Sequence, residues 1–329
     1  MSLIENQRIV VLGAAGFIGF HLSLELSKIK GISLVIVDNH VRGSEDTAYK
    51  SLSVIENVQA LNLDLSIESS YENLFQKGDY VINCAALNGT QNFYNFPVQV
   101  IRHSAITSIL AAEYASKIGV DKYIYFGTPE SYASGIDLGI ITIPTPENVP
   151  LIIESPLNLR WSYAASKTIG EVASIANLEQ FGLNSIILRV HNIYGPRMGK
   201  NHVIPDLVEK FLNGNFEVHG INETRAFMYI DDLIPILMKL IFETIELKNR
   251  IFHIGSSKEI RIADLADLIM KELKIEGRII PAKNFAGSVS RRLPDTSLIS
   301  EYFSYKETEL KYGIQKYIAW YKKNTKQDV

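Results

Sequence analysis

The chain has a single cysteine, Cys84, among 329 residues, which excludes internal disulfides and any metal centre built on cysteine thiolates. It has no run of about twenty uncharged apolar residues, the length a helix needs to cross a bilayer. Its start, MSLIENQR from Met1 to Arg8, lacks the basic and apolar regions of a secretory signal. Nor is there a strong excess of either charge. A net charge of -3 and a pI near 6.2 offer no general attraction to nucleic acid or to an anionic membrane. Internal repeats and low-complexity stretches are also missing. What is present is 47% hydrophobic residues, enough for a large buried core. The expectation is a soluble cytoplasmic protein with a small-molecule partner, no nucleic acid or membrane partner, and no metal.

The informative stretch is Arg8 to Gly19, RIVVLGAAGFIG. Ile9 to Leu12 is a short continuous apolar run, as a strand buried on both faces of a parallel sheet requires. Gly13, Gly16 and Gly19 follow before an amphipathic stretch begins. This is a strand, a turn and a helix start, in which Gly13 permits the reversal, Gly16 lets backbone approach a pyrophosphate and Gly19 lets the helix pack on the strand. A second apolar run, Ile32 to Val37, ends in Asp38 about twenty residues further on, where a carboxylate accepts the hydroxyls of an adenosine ribose. The pattern predicts NAD as cofactor. Arg42, close behind, is the cation that could instead receive a 2′-phosphate.

Strand and helix patterns then alternate. Val58 to Leu63, Tyr80 to Ala86, Tyr123 to Phe126 and Ser185 to Val190 read as strands; Tyr71 to Lys77, Val98 to Ile118 and Arg160 to Phe181 read as helices. The alternation predicts an α/β fold, a doubly wound parallel sheet of Rossmann type with a second, smaller substrate-binding lobe. Asn88 to Pro97 and Ala133 to Leu159 are expected to be loops, the latter a flap over the site. Beyond Met198 the order loosens, with helices at Val203 to Leu212, Asp231 to Thr244 and Ile262 to Leu273 and short extended pieces at Thr224 to Tyr229 and Ile251 to Ile254. The division expected is 1–197 for the NAD-binding domain and 198–329 for the smaller lobe, partly interleaved with it.

Tyr163 and Lys167 are one helical turn apart, on one face of the long helix. A phenol is a poor base at neutral pH, but a neighbouring ammonium favours the phenolate. Thr128, at the end of a strand, could bond the same substrate oxygen, so the three could remove the proton of an alcohol. His191 and His202 are expected to be local hydrogen-bonding groups.

Taken in order, the motifs resemble the extended short-chain dehydrogenase/reductases of the nucleotide-sugar epimerase and dehydratase family. They are GAAGFIG at Gly13 to Gly19, DL at Asp64 and Leu65, NCAA at Asn83 to Ala86, and TPESY at Thr128 to Tyr132. RWSYAASK follows at Arg160 to Lys167, RVHNIYGPR at Arg189 to Arg197, TRAFMYIDD at Thr224 to Asp232 and RRLPD at Arg291 to Asp295. The resemblance implies an NAD-dependent enzyme in which Tyr163 is the base, Lys167 lowers its pKa and holds the nicotinamide ribose, and Thr128 orients the substrate hydroxyl. It implies a cofactor site at Gly13, Gly16, Phe17, Ile18, Gly19, Asp38, Asn39, Asp64, Leu65, Ala85 and Ala86, with Tyr163 and Lys167. Asn192, Arg225 and Arg292 match positions that hold a nucleoside-diphosphate sugar, the arginines on its diphosphate, with Arg291 as an alternative to Arg292. A homodimer built on the helices Val98 to Ile118 and Arg160 to Phe181 is implied as well.

The shared first step in such enzymes is oxidation at carbon 4 of the sugar. Dehydratases of the family resemble TDE where this chain has Thr128, Pro129 and Glu130, and decarboxylases usually show TSE. Proline has no proton to give, although Glu130 keeps the place of the base. The expected order is therefore epimerisation or release of the 4-keto sugar first, 4,6-dehydration next and decarboxylation of a UDP-glucuronate type last. A non-catalytic dinucleotide sensor is the alternative of a different class.

Overall fold

Residues 6–243, 250–283 and 289–325 are described by the computed structural model. The start of the chain at 1–5 and the expected helix end at Thr244 lie outside them. Six strands, β1 (Gln7–Leu12), β2 (Ile32–Asp38), β3 (Val58–Asn62), β4 (Tyr80–Asn83), β5 (Lys122–Gly127) and β6 (Ser185–Val190), pair in parallel. The strand Ile251–Ile254 lies beside β6, giving the order Ile251–Ile254, β6, β5, β4, β1, β2, β3. The chain steps outward from β1 to β3, then returns to β4 and steps the other way. This is the doubly wound sheet that the sequence predicts, and the reversal between β1 and β4 opens a crevice at their carboxyl ends. Ile9, Val10, Val11 and Leu12 are fully buried, because helices cover both faces of a parallel sheet.

The helices differ from the sequence reading in several places, and Thr47–Ser53, Ser297–Tyr302 and Leu310–Thr325 are helices it did not assign. Tyr71 to Lys77 is not a helix: a single 3₁₀ turn, Glu68–Tyr71, precedes irregular chain. Asn73 adopts a left-handed conformation at φ 59°, Gln76 N–H donates to the Asp79 carboxylate at 2.8 Å, and Arg8 binds both Asp79 and the Leu74 carbonyl. These side-chain bonds compete with a helical ladder. Asn88 to Pro97 contains a helix, Thr90–Asn95, entered through Gly89 at φ 120°. The following helical stretch widens to a π turn at Arg102–Ile106 before Thr107–Ile118. Ala133 to Leu159 is mostly irregular, with one short helix, Ala133–Asp137.

The chain forms two compact units, each made of three segments: 1–131, 155–189 and 236–252 in the first, and 132–154, 190–235 and 253–329 in the second. The first holds most of the sheet. The second is built on the helices Val203–Leu212, Ile262–Leu273 and Leu310–Thr325, whose apolar residues recur at helical spacing and are buried, such as Ile204, Leu207, Val208 and Phe211. It also holds a small sheet in the order Glu259–Arg261, Thr224–Ala226, Arg291–Arg292.

Candidate active site

In the first unit a groove opens at the carboxyl ends of β1, β2 and β4, lined by Gly13, Gly16, Asp38, Asn39, Asp64, Leu65, Ala85 and Ala86. Gly13 has φ 81°, and a Cβ there would lie 2.8 Å from the Ala85 backbone; only glycine fits. A Cβ on Gly19 would fall 2.3 Å from the Gly13 carbonyl oxygen, so the helix Phe17–Leu26 starts hard against the turn. Phe17 and Ile18 form its first turn, where Phe17 meets His21 edge to face at 5.4 Å.

The carboxylate of Asp38 is nearly buried and accepts the Ala15 N–H at 2.9 Å and the His40 N–H at 2.8 Å. Asn39 accepts the Val41 N–H through its side chain. Burial would raise the Asp64 pKa, but hydrogen bonds from the Ser66 N–H and hydroxyl, with His103 and Arg102 nearby, hold it below the usual carboxylate range. Ala85 and Ala86 present no bulk. A cradle that added Cβ atoms would fill, an acceptor at the end of β2 and small side chains at the end of β4 together fit an adenine dinucleotide.

Thr128 directly follows β5; its hydroxyl accepts the Glu130 N–H at 3.3 Å and sits near enough to the Tyr163 hydroxyl to favour its ionisation. Tyr163 and Lys167 lie on the helix Trp161–Phe181, Tyr163 stacked on Phe93 with ring centroids 4.9 Å apart and planes at 15°. The structure thus places Thr128 near Tyr163, but the charges differ from the sequence expectation. Burial pushes the phenol pKa up, Glu130 adds to the rise, and the nearby Thr128 hydroxyl and the Arg42 guanidinium oppose it. Lys167 is 1% exposed, with Nζ 4.2 Å from the Tyr125 ring centroid. Burial lowers its pKa to about 7, while Cys84 and Glu171 pull the other way.

Glu130 is ion-paired. Arg160 Nη2 lies 3.3 and 3.2 Å from its two carboxylate oxygens, with both side chains largely buried. An ion-paired carboxylate holds a proton poorly, which weakens the residue left in the place of the base. Sequence reasoning missed Arg160 and Phe93 as neighbours of the site. Arg160 stands inside the RWSYAASK motif, whereas nothing local marks Phe93.

In the second unit Arg225 and Arg292 are direct cross-strand partners in a parallel pair, and both are more than nine-tenths buried. Arg225 donates to Glu223 at 2.8 Å and to the Thr224 carbonyl at 2.7 Å. Asn192 donates to the Ala226 carbonyl at 3.2 Å, next to Arg225 in the chain. Arg291 is exposed and makes a two-pronged ion pair with Glu259, so the buried neighbour of Arg225 is Arg292. His191 bonds the Tyr132 hydroxyl at 2.9 Å, and His202 caps the helix Val203–Leu212 with its carbonyl. Among the described residues no helix is long and apolar enough to cross a membrane, and no group of three or more His, Cys, Asp or Glu side chains is placed to hold a metal.

The chain is similar over most of its length to several known proteins. The chain is 27% identical over 331 residues to the UDP-N-acetyl-alpha-D-glucosaminuronate decarboxylase of Bacillus cytotoxicus, covering 96% of this chain and 98% of the relative. It is 29% identical over 273 residues to the dTDP-D-glucose 4,6-dehydratase of Dictyostelium discoideum, covering 80% and 62%. Its fold is similar to the UDP-glucuronic acid 4-epimerase of Bacillus cereus solved with NAD, at a TM-score of 0.86 and 23% identity, covering 97% and 100%. Relatives thus run three different reactions on nucleotide sugars. A family model, the NAD dependent epimerase/dehydratase family, matches residues 9–255, the span from β1 to the end of the sheet. The chain therefore belongs to the NAD dependent epimerase/dehydratase family.

Proposed function

We propose that this chain oxidises carbon 4 of a nucleoside-diphosphate sugar and ends either in 4-epimerisation or in release of the 4-keto sugar. The observation that carries the reading is that the Thr128 side chain sits near enough to the Tyr163 hydroxyl to favour its ionisation, beside a chain segment that lacks the parts for elimination. Tyr163 takes the proton of the carbon-4 hydroxyl, and Thr128 holds the same oxygen in line. NAD, when bound, supplies the hydride acceptor. Lys167 orients the nicotinamide ribose, and its low pKa lets it pass a proton near neutrality. Arg225 and Arg292, adjacent and buried, take the diphosphate, for which planar guanidinium pairs are suited. Asn192, which donates to the carbonyl of Ala226 beside Arg225, completes the nucleotide-sugar contacts.

Dehydration needs an acid where Pro129 stands and a free base at Glu130. Proline supplies no proton, and the Arg160 pair occupies Glu130, which supports ranking dehydration below simple redox chemistry and decarboxylation below that. The functional form is a cytoplasmic homodimer: Val98, Ile101, Ile169 and Val172 are exposed apolar residues on the two helices that would pair. Incubation with a panel of UDP-, dTDP-, CDP- and GDP-sugars, followed by mass and by product NMR, tests the reaction. An inverted carbon 4 at unchanged mass, or a loss of two hydrogens, is expected; loss of water or carbon dioxide overturns the order. Tyr163→Phe should lower turnover by about 10²–10⁴-fold with NAD still bound. Wild-type protein that binds its sugar and never turns it over would favour a sensor.

A further inference from the structure

The loop after β2 is seated on the glycine turn. A Cβ on Gly43 would lie 2.6 Å from the Ala15 side chain, and the Ser44 N–H donates to the Ala15 carbonyl at 3.2 Å. The origin of the Arg42 side chain is thereby fixed. From there Arg42 runs along the groove that Gly13, Asp38 and Ala85 line, and its Nε donates to the Asn88 carbonyl at 3.0 Å. Asn88 stands in the loop after β4, between Leu87 and Phe93, and these two residues pack with Tyr163 in one buried cluster. Guanidinium and phenol thus converge on a single short segment, 86–93.

Of the other charged groups near the phenol, Glu130 opposes its ionisation, and the cations nearest in the sequence motif face other partners. Glu130 is held by Arg160. Lys167, one turn along the helix, lies over the Tyr125 ring and interacts with Cys84 and Glu171. We infer that Arg42 is the cation that stabilises the Tyr163 phenolate, a positioning residue that reaches the base from the loop after β2. The inference rests on the reading of Tyr163 as the base. Its electrostatic signature is mutual: Arg42 works against the burial that raises the phenol pKa, and Tyr163 works against the burial that lowers the arginine pKa. The role that the sequence motif gives to an ammonium four residues away would then be shared with a guanidinium 121 positions earlier in the chain.

The test replaces Tyr163 by 3-fluorotyrosine in the full chain and follows its ¹⁹F shift against pH with saturating NAD. The ortho fluorine makes the phenol a stronger acid while adding little volume. Against the protein that keeps Arg42, Arg42→Gln should raise the ionisation midpoint by about one pH unit or more, and Arg42→Lys should recover at least half of that rise. NAD affinity is measured on the same samples by calorimetry. Coincident titrations of the Arg42→Gln variant and the protein that keeps Arg42, a lysine variant that recovers less than half, or no ionisation in either protein below about pH 11 overturns the inference, whatever happens to NAD affinity. Turnover enters none of these readings. A failure of the proposed reaction and a failure of the Arg42 assignment are therefore seen in different experiments.

Discussion

Lys167 allows a prediction whose magnitude can be worked out. Its pKa falls from 10.5 to about 7 through burial, and it is almost wholly enclosed. Between those two values the unfolded chain holds a proton that the folded chain has released, so stability rises with pH across the window. The destabilisation is fully present below about pH 7 and is gone above about pH 10.5. At 1.36 kcal/mol per pKa unit it amounts to about 4 kcal/mol at pH 7 and about 2 kcal/mol at pH 9. Lys167→Met keeps most of the volume and removes the charge. The variant should be the more stable protein at pH 7, by up to about 4 kcal/mol, with the gap narrowing by about 2 kcal/mol at pH 9. Urea unfolding of both proteins at pH 7, 8 and 9, without added ligand, measures this, because groups common to both cancel in the difference. A gap that stays constant with pH, or a variant that is less stable at pH 7, refutes the reasoning. The same variant should lose turnover, a stability gained at the expense of the site.

Other expected outcomes concern neighbouring groups. Arg189 and Glu171 form a buried ion pair at 2.9 Å; Arg189→Met should lower stability by about 3–5 kcal/mol in urea, and replacing Glu171 by leucine as well should recover most of the loss. Gly170 faces Tyr125, whose hydroxyl oxygen would stand 2.1 Å from an added Cβ, so Gly170→Ala should lower stability by about 1–3 kcal/mol in the same assay. Asp38→Asn removes a carboxylate that lines the groove and should weaken NAD by about tenfold or more in calorimetry. Pro129→Asp returns an acid to the segment before Glu130; a trace of water loss in product mass spectra is expected, growing when Arg160→Met also frees the glutamate.

Much of the fold was legible because its strands are buried on both faces. Ile9 to Leu12 and Leu34 to Val37 are apolar throughout and buried, and such runs announce themselves without any partner. The glycine turn was legible for a similar reason: at Gly13 and Gly19 the backbone itself leaves no room for a side chain. Tyr163 and Lys167 came from helical spacing. What escaped depends on contacts far apart in sequence. The helix expected at Tyr71 to Lys77 is undone partly by Arg8, 66 residues before Leu74, and the Glu130–Arg160 pair spans 30 positions. Thr90–Asn95 looked like a loop because its aromatic residues follow no helical stripe; Phe93 serves the Tyr163 ring instead. The balance of charge around that ring could not be read from spacing, since it depends on which way Lys167 and Arg42 turn.

The three-segment construction of the first unit sets a schedule for synthesis. Its last segment runs to Phe252, and the ammonium of Lys122 finds two of its acceptors only at the carbonyls of Leu240 and Ile241, at 2.9 and 2.7 Å. A nascent chain that has left the ribosome as far as β6 therefore still has an open sheet border and a cation without those acceptors. The nucleotide-binding half becomes complete only after some three quarters of the polypeptide has emerged. Its maturation is tied to translation of the half that follows, and a gene cut before that point should yield a product that chaperones retain.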